Sequence, residues 1–223
     1  MTENVVEALP DLVVALGQTL YMLAICWPLG VALGLTVAVL LRVMAPGGLR
    51  PSRVGYAVLS TVVNVGRSIP FLLLAVLMVP VTRLVVGTAI GTTAAVVPLV
   101  VSAVPYFARL AEQALLSVDK GAVEAAESLG AGRVRIVFRV MLREAFPMLL
   151  NASVILLVAF VSYTTIVGIV GGGGIGDFAI RYGYNLFQTD VMVFSVVIIV
   201  VLVQTLQAVG NRLVRRYDRR LVL

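Results

Sequence analysis

Long runs of apolar residues recur along the chain and are separated by shorter segments that carry nearly all of the charges. A helix that crosses a membrane needs about 20 residues, because the hydrocarbon core is about 30 Å thick and each residue adds about 1.5 Å. The pattern predicts an all-α membrane protein whose residues 1–223 form a single membrane domain. Five membrane helices are expected, at about residues 12–41, 54–82, 84–116, 145–172 and 191–211.

The composition agrees with this pattern and excludes several kinds of chemistry. Apolar residues make up 61% of the chain and charged residues 13%, and the mean hydropathy is +1.07. A soluble domain has about half apolar and about a quarter charged residues. The sequence has no His and a single Cys, Cys26. Triads that use His, metal sites built from His and Cys, and disulfide frameworks are therefore excluded.

The basic residues indicate how the chain is oriented, because Lys and Arg favour the cytoplasmic side of a membrane. The segment before the first span carries only acidic charges, and Arg83 and Arg181 are the basic residues of the opposite side. The basic residues assigned to the inside are Arg42, Arg50, Arg53, Arg109, Lys120, Arg133, Arg135, Arg139, Arg143, Arg212, Arg215, Arg216, Arg219 and Arg220. The N-terminus is predicted outside and the C-terminus in the cytoplasm, and this sorting explains the net charge of +6 without a nucleic-acid partner.

Two groups of glycines suggest close packing or turning of the chain. Gly30 and Gly34 form a pair of small residues four apart in the first span, which either supports close helix packing or reflects ordinary membrane-helix composition. The run at residues 168–176 is expected to end the fourth span and to let the chain turn at the outer surface.

The connection at about residues 117–144 is long and consists mainly of residues that favour helices. Asp119 can cap a helix start, since its side chain accepts a hydrogen bond from a free backbone N–H. Residues 120–129 are predicted to form a short helix of mostly small residues. Gly130 is expected to end it in a left-handed conformation.

A second helix is predicted after Gly132. It places Arg135, Arg139 and Arg143 four residues apart on one face, at the inner membrane surface. These arginines either contact lipid headgroups or a protein partner, or act only as a positive-inside anchor.

The motif Glu124, Ala125, Ala126, with Gly130 four residues later, resembles the EAA loop in the permease subunits of bacterial ABC importers. The family pattern continues to an Ile-x-Leu-Pro ending. In this chain Val140 takes the Ile place, and an arginine stands where the family usually has proline.

A larger part of the chain, about residues 64–183, is similar to the methionine-importing branch of that family. The similar segments are residues 63–71, 80–88, 97–99, 105–109 and 173–176. The sequence departs from that branch around residues 162–166, and this departure leaves the exact substrate open.

The resemblance implies a type I ABC importer permease in the bacterial inner membrane. Such a subunit forms a homodimer, carries two cytoplasmic ABC ATPase subunits and receives its substrate from an extracytoplasmic binding protein. The substrate would be methionine, L- or D-, or a related small amino acid, moved by alternating access. ATP and Mg would be bound by the partner, because the chain lacks a P-loop: its only lysine, Lys120, is followed by Gly121.

The resemblance also assigns roles to individual residues of the loop. Residues 120–129 would be the coupling helix, which lies in a groove of the ATPase. The residues assigned to it are Asp119, Gly121, Glu124, Ala125, Ala126, Leu129 and Gly130. In this role Glu124 would contact the ATPase or cap its own helix. A solvated loop helix without a partner is the alternative.

The second predicted span contains one charge, Arg67, about 20 Å into a core of about 30 Å. An arginine at that depth is costly and marks a functional position or a specific pairing. No Asp or Glu is expected inside any of the spans, so Arg67 is not expected to pair with an intramembrane carboxylate of its own chain. We consider two hypotheses. Arg67 faces the translocation path near a gate, with Ser68, Pro70 and Tyr163, or it is structural, bonded to carbonyls freed by Pro70 or lying at a dimer contact.

Three alternatives to a methionine importer remain at this point. The chain could be the permease of an ABC importer for another amino acid or small polar solute. It could be a secondary transporter or channel, although such proteins commonly show inverted repeats or ionisable residues within spans. It could also be a membrane scaffold, which would not need the coupling-helix pattern.

Overall fold

The computed structural model describes residues 3–217, and every regular element in that range is helical. The α-helices are α1 (Glu3–Met44), α2 (Arg53–Ser68), α3 (Phe71–Leu77), α4 (Val79–Val86), α5 (Thr92–Leu116), α6 (Lys120–Ser128), α7 (Arg133–Ile136), α8 (Leu142–Val167), α9 (Gly174–Phe178) and α10 (Thr189–Tyr217). Three π-helical segments extend them: Val137–Met141, Gly168–Gly172 and Ala179–Asn185. The prediction of an all-α chain is confirmed for this range, while Arg219 and Arg220 lie outside it.

Helices α1 and α5 run side by side in the same direction. The hydroxyl groups of Tyr21 and Thr93 lie 3.4 Å apart near one end of the pair. Further along, a Cβ on Gly30 would lie only 2.4 Å from the Cβ of Ala103, and one on Gly34 would lie 2.8 Å from a backbone oxygen of α5. Close helix packing is therefore the correct interpretation of this glycine pair.

The other long helices are antiparallel to their neighbours. The contacts that show this are Tyr106 with Phe160 and Ser117 with Met148 between α5 and α8, and Phe146 with Tyr217 and Val154 with Gly210 between α8 and α10. The connections at residues 45–52 and 117–132 consequently lie at one end of the bundle, which we call the coupling-loop end. Residues 87–91 and 168–188 lie at the other, which we call the glycine-run end.

The second predicted span is broken. Within residues 3–217, four helical stretches are long and apolar enough to cross a membrane, in α1, α5, residues 133–172 and α10. Helices α2 and α3 make a fifth span only as a pair, and they are bent by 100° relative to each other. Pro70 lacks the N–H that would continue α2, and it also keeps Ile69 before it extended, with ψ of 121°.

The glycine run ends the fourth span, with Ile169 and Val170 exposed and Gly174, Ile175 and Gly176 buried. Gly171 and Gly173 have φ of 86° and 73°, which side chains disfavour. The chain then folds back onto α1, where Gln18 Oε1 accepts from the N–H of Gly174 at 2.8 Å and Thr19 Oγ1 accepts from the N–H of Ile175 at 3.0 Å. The side chains of α1 thus supply acceptors for the start of α9, and the turn becomes part of the packed interior.

Candidate functional site

Helix α6 begins where the sequence predicts. Asp119 precedes it, and its Oδ1 accepts a hydrogen bond from the backbone N–H of Gly121 at 3.0 Å. This bond satisfies one of the N–H groups that a helix leaves free in its first turn. Residues 117–119 alone join α6 to α5, and Val118 among them is buried in the main apolar core. The helix is therefore held firmly relative to the end of α5.

Gly130 ends α6 in the left-handed conformation, with φ of 75°. The N–H of Gly130 donates to the carbonyl of Glu127 at 2.9 Å, and the N–H of Ala131 donates to the carbonyl of Ala126 at 3.0 Å. This pair of bonds is the Schellman motif, which a glycine at this position accommodates without steric cost. The local geometry agrees with the predicted turn.

One face of α6 rests on the bundle and the other is exposed. Val123 and Ala126 pack against the main apolar core, whereas Glu124, Ala125 and Leu129 are exposed. Leu129 is 88% exposed. A large apolar side chain left open beside small residues is typical of a surface that binds another protein.

The exposed surface continues beyond α6 with apolar and basic side chains. Its residues are Val134, Arg135, Phe138, Arg139 and Arg143. The π-helical segment Val137–Met141 interrupts the regular four-residue spacing on which a single arginine face was predicted. Helix α8 begins at Leu142 and continues through Pro147. It therefore includes Arg143, the residue that stands where the family usually has proline.

Helix α2 ends just after Arg67, at the break between α2 and α3. Ile69 is extended, and Pro70 precedes the first residue of α3. The sequence analysis expected Pro70 to free a carbonyl within one continuous helix, but the proline separates two helices instead. The hydroxyl of Ser68 donates to the carbonyl of Asn64 at 2.9 Å and is thus engaged within α2.

An aromatic cluster lies beside this break. The rings of Phe71 and Tyr163 are stacked, with centroids 4.7 Å apart, and Phe160 lies 4.8 Å from Tyr163 on the α8 side. Tyr106 extends the cluster, with its ring centroid 6.3 Å from that of Phe160. Tyr163 thus lies beside Phe71, the first residue of α3, four positions after Arg67, and the cluster contains three aromatic residues that were not predicted for the site.

A second polar group was missed from the sequence. The Arg109 guanidinium forms an ion pair with Glu112 and donates to Ser60 Oγ at 3.0 Å and to Asn64 Oδ1 at 2.6 Å. The Tyr56 hydroxyl donates to Glu112 Oε1 at 3.2 Å. We call these five residues the α2–α5 polar cluster. The spacing of these residues in the sequence was a signal that each set shares one helix face. The α2 members recur every four residues, and the two charged residues are three positions apart on α5.

Comparison with known proteins places this geometry in a family. A model of the inner membrane component of binding-protein-dependent transport systems matches residues 12–223. The chain belongs to this permease family. It is 50% identical to a probable D-methionine transport system permease protein MetI of Vibrio cholerae, over 94% of this chain and 93% of the relative. It is 38% identical to the methionine import system permease protein MetP of Bacillus subtilis, over 81% and 82% of the two chains.

Two solved structures share the fold. A chain of the MetNI methionine ABC transporter in an inward-facing conformation matches with a TM-score of 0.95 and 42% identity, covering 98% of this permease and 100% of that chain. A chain of an amino acid ABC transporter solved with histidines matches with a TM-score of 0.79 at 23% identity, covering 97% of this permease and 100% of that chain, which shows a common fold alone. The chain is therefore a permease subunit of an ABC importer, with the type I permease fold.

Proposed function

We propose that this permease moves methionine, as the L- or D-isomer, or a related small amino acid into the cytoplasm. The observation that carries the proposal is the likeness to methionine transport permeases over nearly the whole chain, at up to 50% identity. Two copies of the chain would form the membrane pore. An external binding protein would deliver the substrate at the glycine-run end.

The orientation follows from the charges. The coupling-loop end carries most of the Lys and Arg residues of the described chain and would face the cytoplasm. The N-terminus of α1 would then lie outside and the C-terminus of α10 inside. Two ABC ATPase subunits, which bind ATP and Mg, would dock at the coupling-loop end.

Helix α6 would be the coupling helix. Its exposed face, with Glu124, Ala125 and Leu129, is free to enter a groove on the ATPase, while its other face packs on the permease core. Closure of the ATPase subunits would push α6, and rigid-body movement of the attached helices would change the access of the pore. Gly130 turns the chain at the end of the helix, and the N–H of Gly121 donates to the Asp119 cap at its start.

The α2–α3 break would line the translocation path. Arg67 is exposed there and would attract the carboxylate of an amino acid. The neighbouring rings of Phe71 and Tyr163 would contact an apolar side chain, and a thioether makes favourable contacts with aromatic rings. Pro70 would keep this part of the path free of regular helix.

Reconstitution tests the function. Liposomes that contain the permease, its ATPase and the binding protein should accumulate labelled L- or D-methionine only when ATP is present on the ATPase side. Uptake without the ATPase would contradict the proposal in favour of a secondary transporter. Uptake of another amino acid in preference to methionine would support the alternative substrate class.

A substitution on α6 tests the coupling role. Ala125→Trp should prevent co-purification of the ATPase, because the bulky ring blocks close approach at the exposed face of α6. The matched control is Ala208→Trp, since Ala208 is also an exposed alanine and lies on α10. If the ATPase binds both variants like the parent, α6 is a solvated loop helix and does not couple.

A further inference from the structure

Helix α2 has little apolar attachment to the rest of the protomer. Within residues 3–217, Val63 is the only residue of α2 that is buried. Helix α5 by contrast buries residues along its whole length. Its apolar attachment is a small cluster in which Val63 and Leu59 pack on Leu41 of α1 and Ala108 of α5. The α2–α5 polar cluster adds directed hydrogen bonds to this limited contact.

The cluster is placed where charges are expensive. Glu112 is 2% exposed and Arg109 19% exposed. A buried charge is tolerated only when it is paired and its remaining hydrogen-bonding groups are satisfied. Both carboxylate oxygens of Glu112 are engaged, one by Arg109 and one by Tyr56. The chain thus keeps a costly ion pair at this position, and apolar residues would pack two helices more simply.

The cluster also lies next to the coupling helix. Glu112 is one turn from the end of α5 at Leu116, and residues 117–119 lead directly to α6. At the far end of α2 lie Arg67 and the break before α3. A force on α6 therefore reaches α5 directly, and it reaches Arg67 along α2 if α2 follows α5. On the other side of the break, α3 contacts α8 through the stacked rings of Phe71 and Tyr163.

We propose that the α2–α5 polar cluster is the joint that makes α2 move with the coupling helix, so that Glu112 and Tyr56 are positioning residues for the path at Arg67. The proposal rests on the proposed function of α6. Arg109 and Glu112, paired with each other on α5, form hydrogen bonds with Ser60, Asn64 and Tyr56 of α2 and so hold the two helices together at one end of their contact. Near the other end, a Cβ on Gly66 would lie 3.3 Å from the Cβ of Pro105.

Conservative substitutions test the joint in the reconstituted complex, with methionine uptake per ATP hydrolysed as the readout. Glu112→Gln keeps the size of the side chain but removes the charge, and Tyr56→Phe removes a single hydroxyl. Each should lower uptake per ATP about five- to tenfold, the effect of losing one charge-assisted hydrogen bond. ATP hydrolysis itself should remain. The double variant should be no worse than Glu112→Gln, because the hydroxyl acts through Glu112.

The matched control is Tyr21→Phe, which removes a hydroxyl from the contact between α1 and α5 at the glycine-run end. It should leave uptake per ATP unchanged. A purely structural role of the cluster would lower the amount of assembled complex in all variants without changing uptake per ATP in what assembles. That outcome, or unchanged transport in Glu112→Gln and Tyr56→Phe, overturns the proposal.

A covalent link provides a rescue. Cysteines at positions 66 and 105 would have Cβ atoms near the separation of about 3.5–4.5 Å that a disulfide needs. Cys26, the one native cysteine, is buried and does not compete. In the Glu112→Gln background, oxidation should restore uptake per ATP and reduction should abolish the gain. A disulfide that blocks transport in the parent would overturn the proposal, because it would mean that α2 and α5 must separate.

The yield of this disulfide gives a readout that does not depend on the substrate. If α2 and α5 move as one body, the yield in the parent is the same with and without ATP. If the disulfide yield falls when ATP is added, the proposal that α2 moves with α5 is wrong, even if methionine is transported. If the yield is equal with and without ATP but the complex takes up no methionine, the proposed joint is supported and the proposed substrate is wrong.

Discussion

Helix α5 is held by two neighbours through opposite kinds of contact. Towards α1 the helices pack closely, because Gly30 and Gly34 have no side chains and let the two backbones approach each other. Towards α2 the contact is polar and involves the charged side chains of Arg109 and Glu112. The first kind of packing tolerates almost no displacement. The second kind depends on a few directed bonds. The contact between α1 and α5 therefore forms a rigid pair of helices, and the contact between α2 and α5 attaches a helix that can move with this pair.

The largest expected effect comes from breaking the charged contact on one side only. Arg109→Ala leaves Glu112 buried without its cation and should destabilise the protein by about 3–5 kcal/mol. Thermal unfolding of the detergent-solubilised complex measures this. The double variant Arg109→Met with Glu112→Leu should be closer to the parent, because no unpaired charge remains. A single variant as stable as the parent would show that water reaches the pair.

The close contact between α1 and α5 is tested by adding a single methyl group at a glycine. Gly30→Ala places a methyl group 2.4 Å from another Cβ and should cost about 1–3 kcal/mol through overpacking. Gly17→Ala is the matched control, since nothing lies within 4 Å of a Cβ at Gly17 in the same helix. That variant should gain up to about 1 kcal/mol from helix propensity. Equal effects of the two substitutions would contradict the close packing of α1 and α5.

The two arginines near α2 sharpen the comparison further. Arg67 is exposed at the break, whereas Arg109 is enclosed by the polar cluster. Arg67→Ala should therefore change stability by no more than about 0.5 kcal/mol. Uptake of methionine should fall about tenfold, as expected for a lost charge-assisted contact with the carboxylate. Unchanged uptake in a complex that still assembles would remove Arg67 from the path and favour a structural role.

The smallest effect is expected for a polar contact outside the predicted spans. The Tyr182 hydroxyl donates to Asp11 Oδ2 at 2.5 Å, and this bond raises the pKa of Tyr182. The protonated phenol therefore stabilises the fold below pH of about 10, the ordinary Tyr pKa, and this contribution is lost as the pH rises through the higher value in the folded protein. Unfolding midpoints measured from pH 8 to 11 should show this loss in the parent and not in Tyr182→Phe.

Tyr184→Phe is the control for that experiment, because Tyr184 is largely exposed. Its unfolding should follow the parent at every pH. If Tyr182→Phe also follows the parent, the hydrogen bond to Asp11 contributes nothing measurable, as is common where water competes.

Helix α6 was the part of the site that sequence reasoning described best. Its cap at Asp119, its length and its turn at Gly130 follow from local chemistry, in which each residue acts on neighbours a few positions away. The break at Pro70 was expected only as a local disturbance. Its size depends on how α3 packs against α5 and α8, and a proline alone does not specify that.

The polar cluster shows why the rest could not be predicted. No Asp or Glu was expected inside a span, yet Glu112 lies within the third predicted span and is buried in α5. Whether such a side chain is solvated or buried depends on the helix that covers it. Tyr56 and Glu112 are far apart in sequence, so their contact has no local signal.

The sequence by itself determined the membrane-spanning character, the all-α fold class and the start and end of helix α6, because apolar length and helix capping are properties of short segments. The tertiary structure alone decided that the second span is bent by 100°, that the glycine run folds inward onto α1, and that two charged residues of α5 hold α2. These features depend on which helices meet, and long-range packing sets the cost of every group it buries.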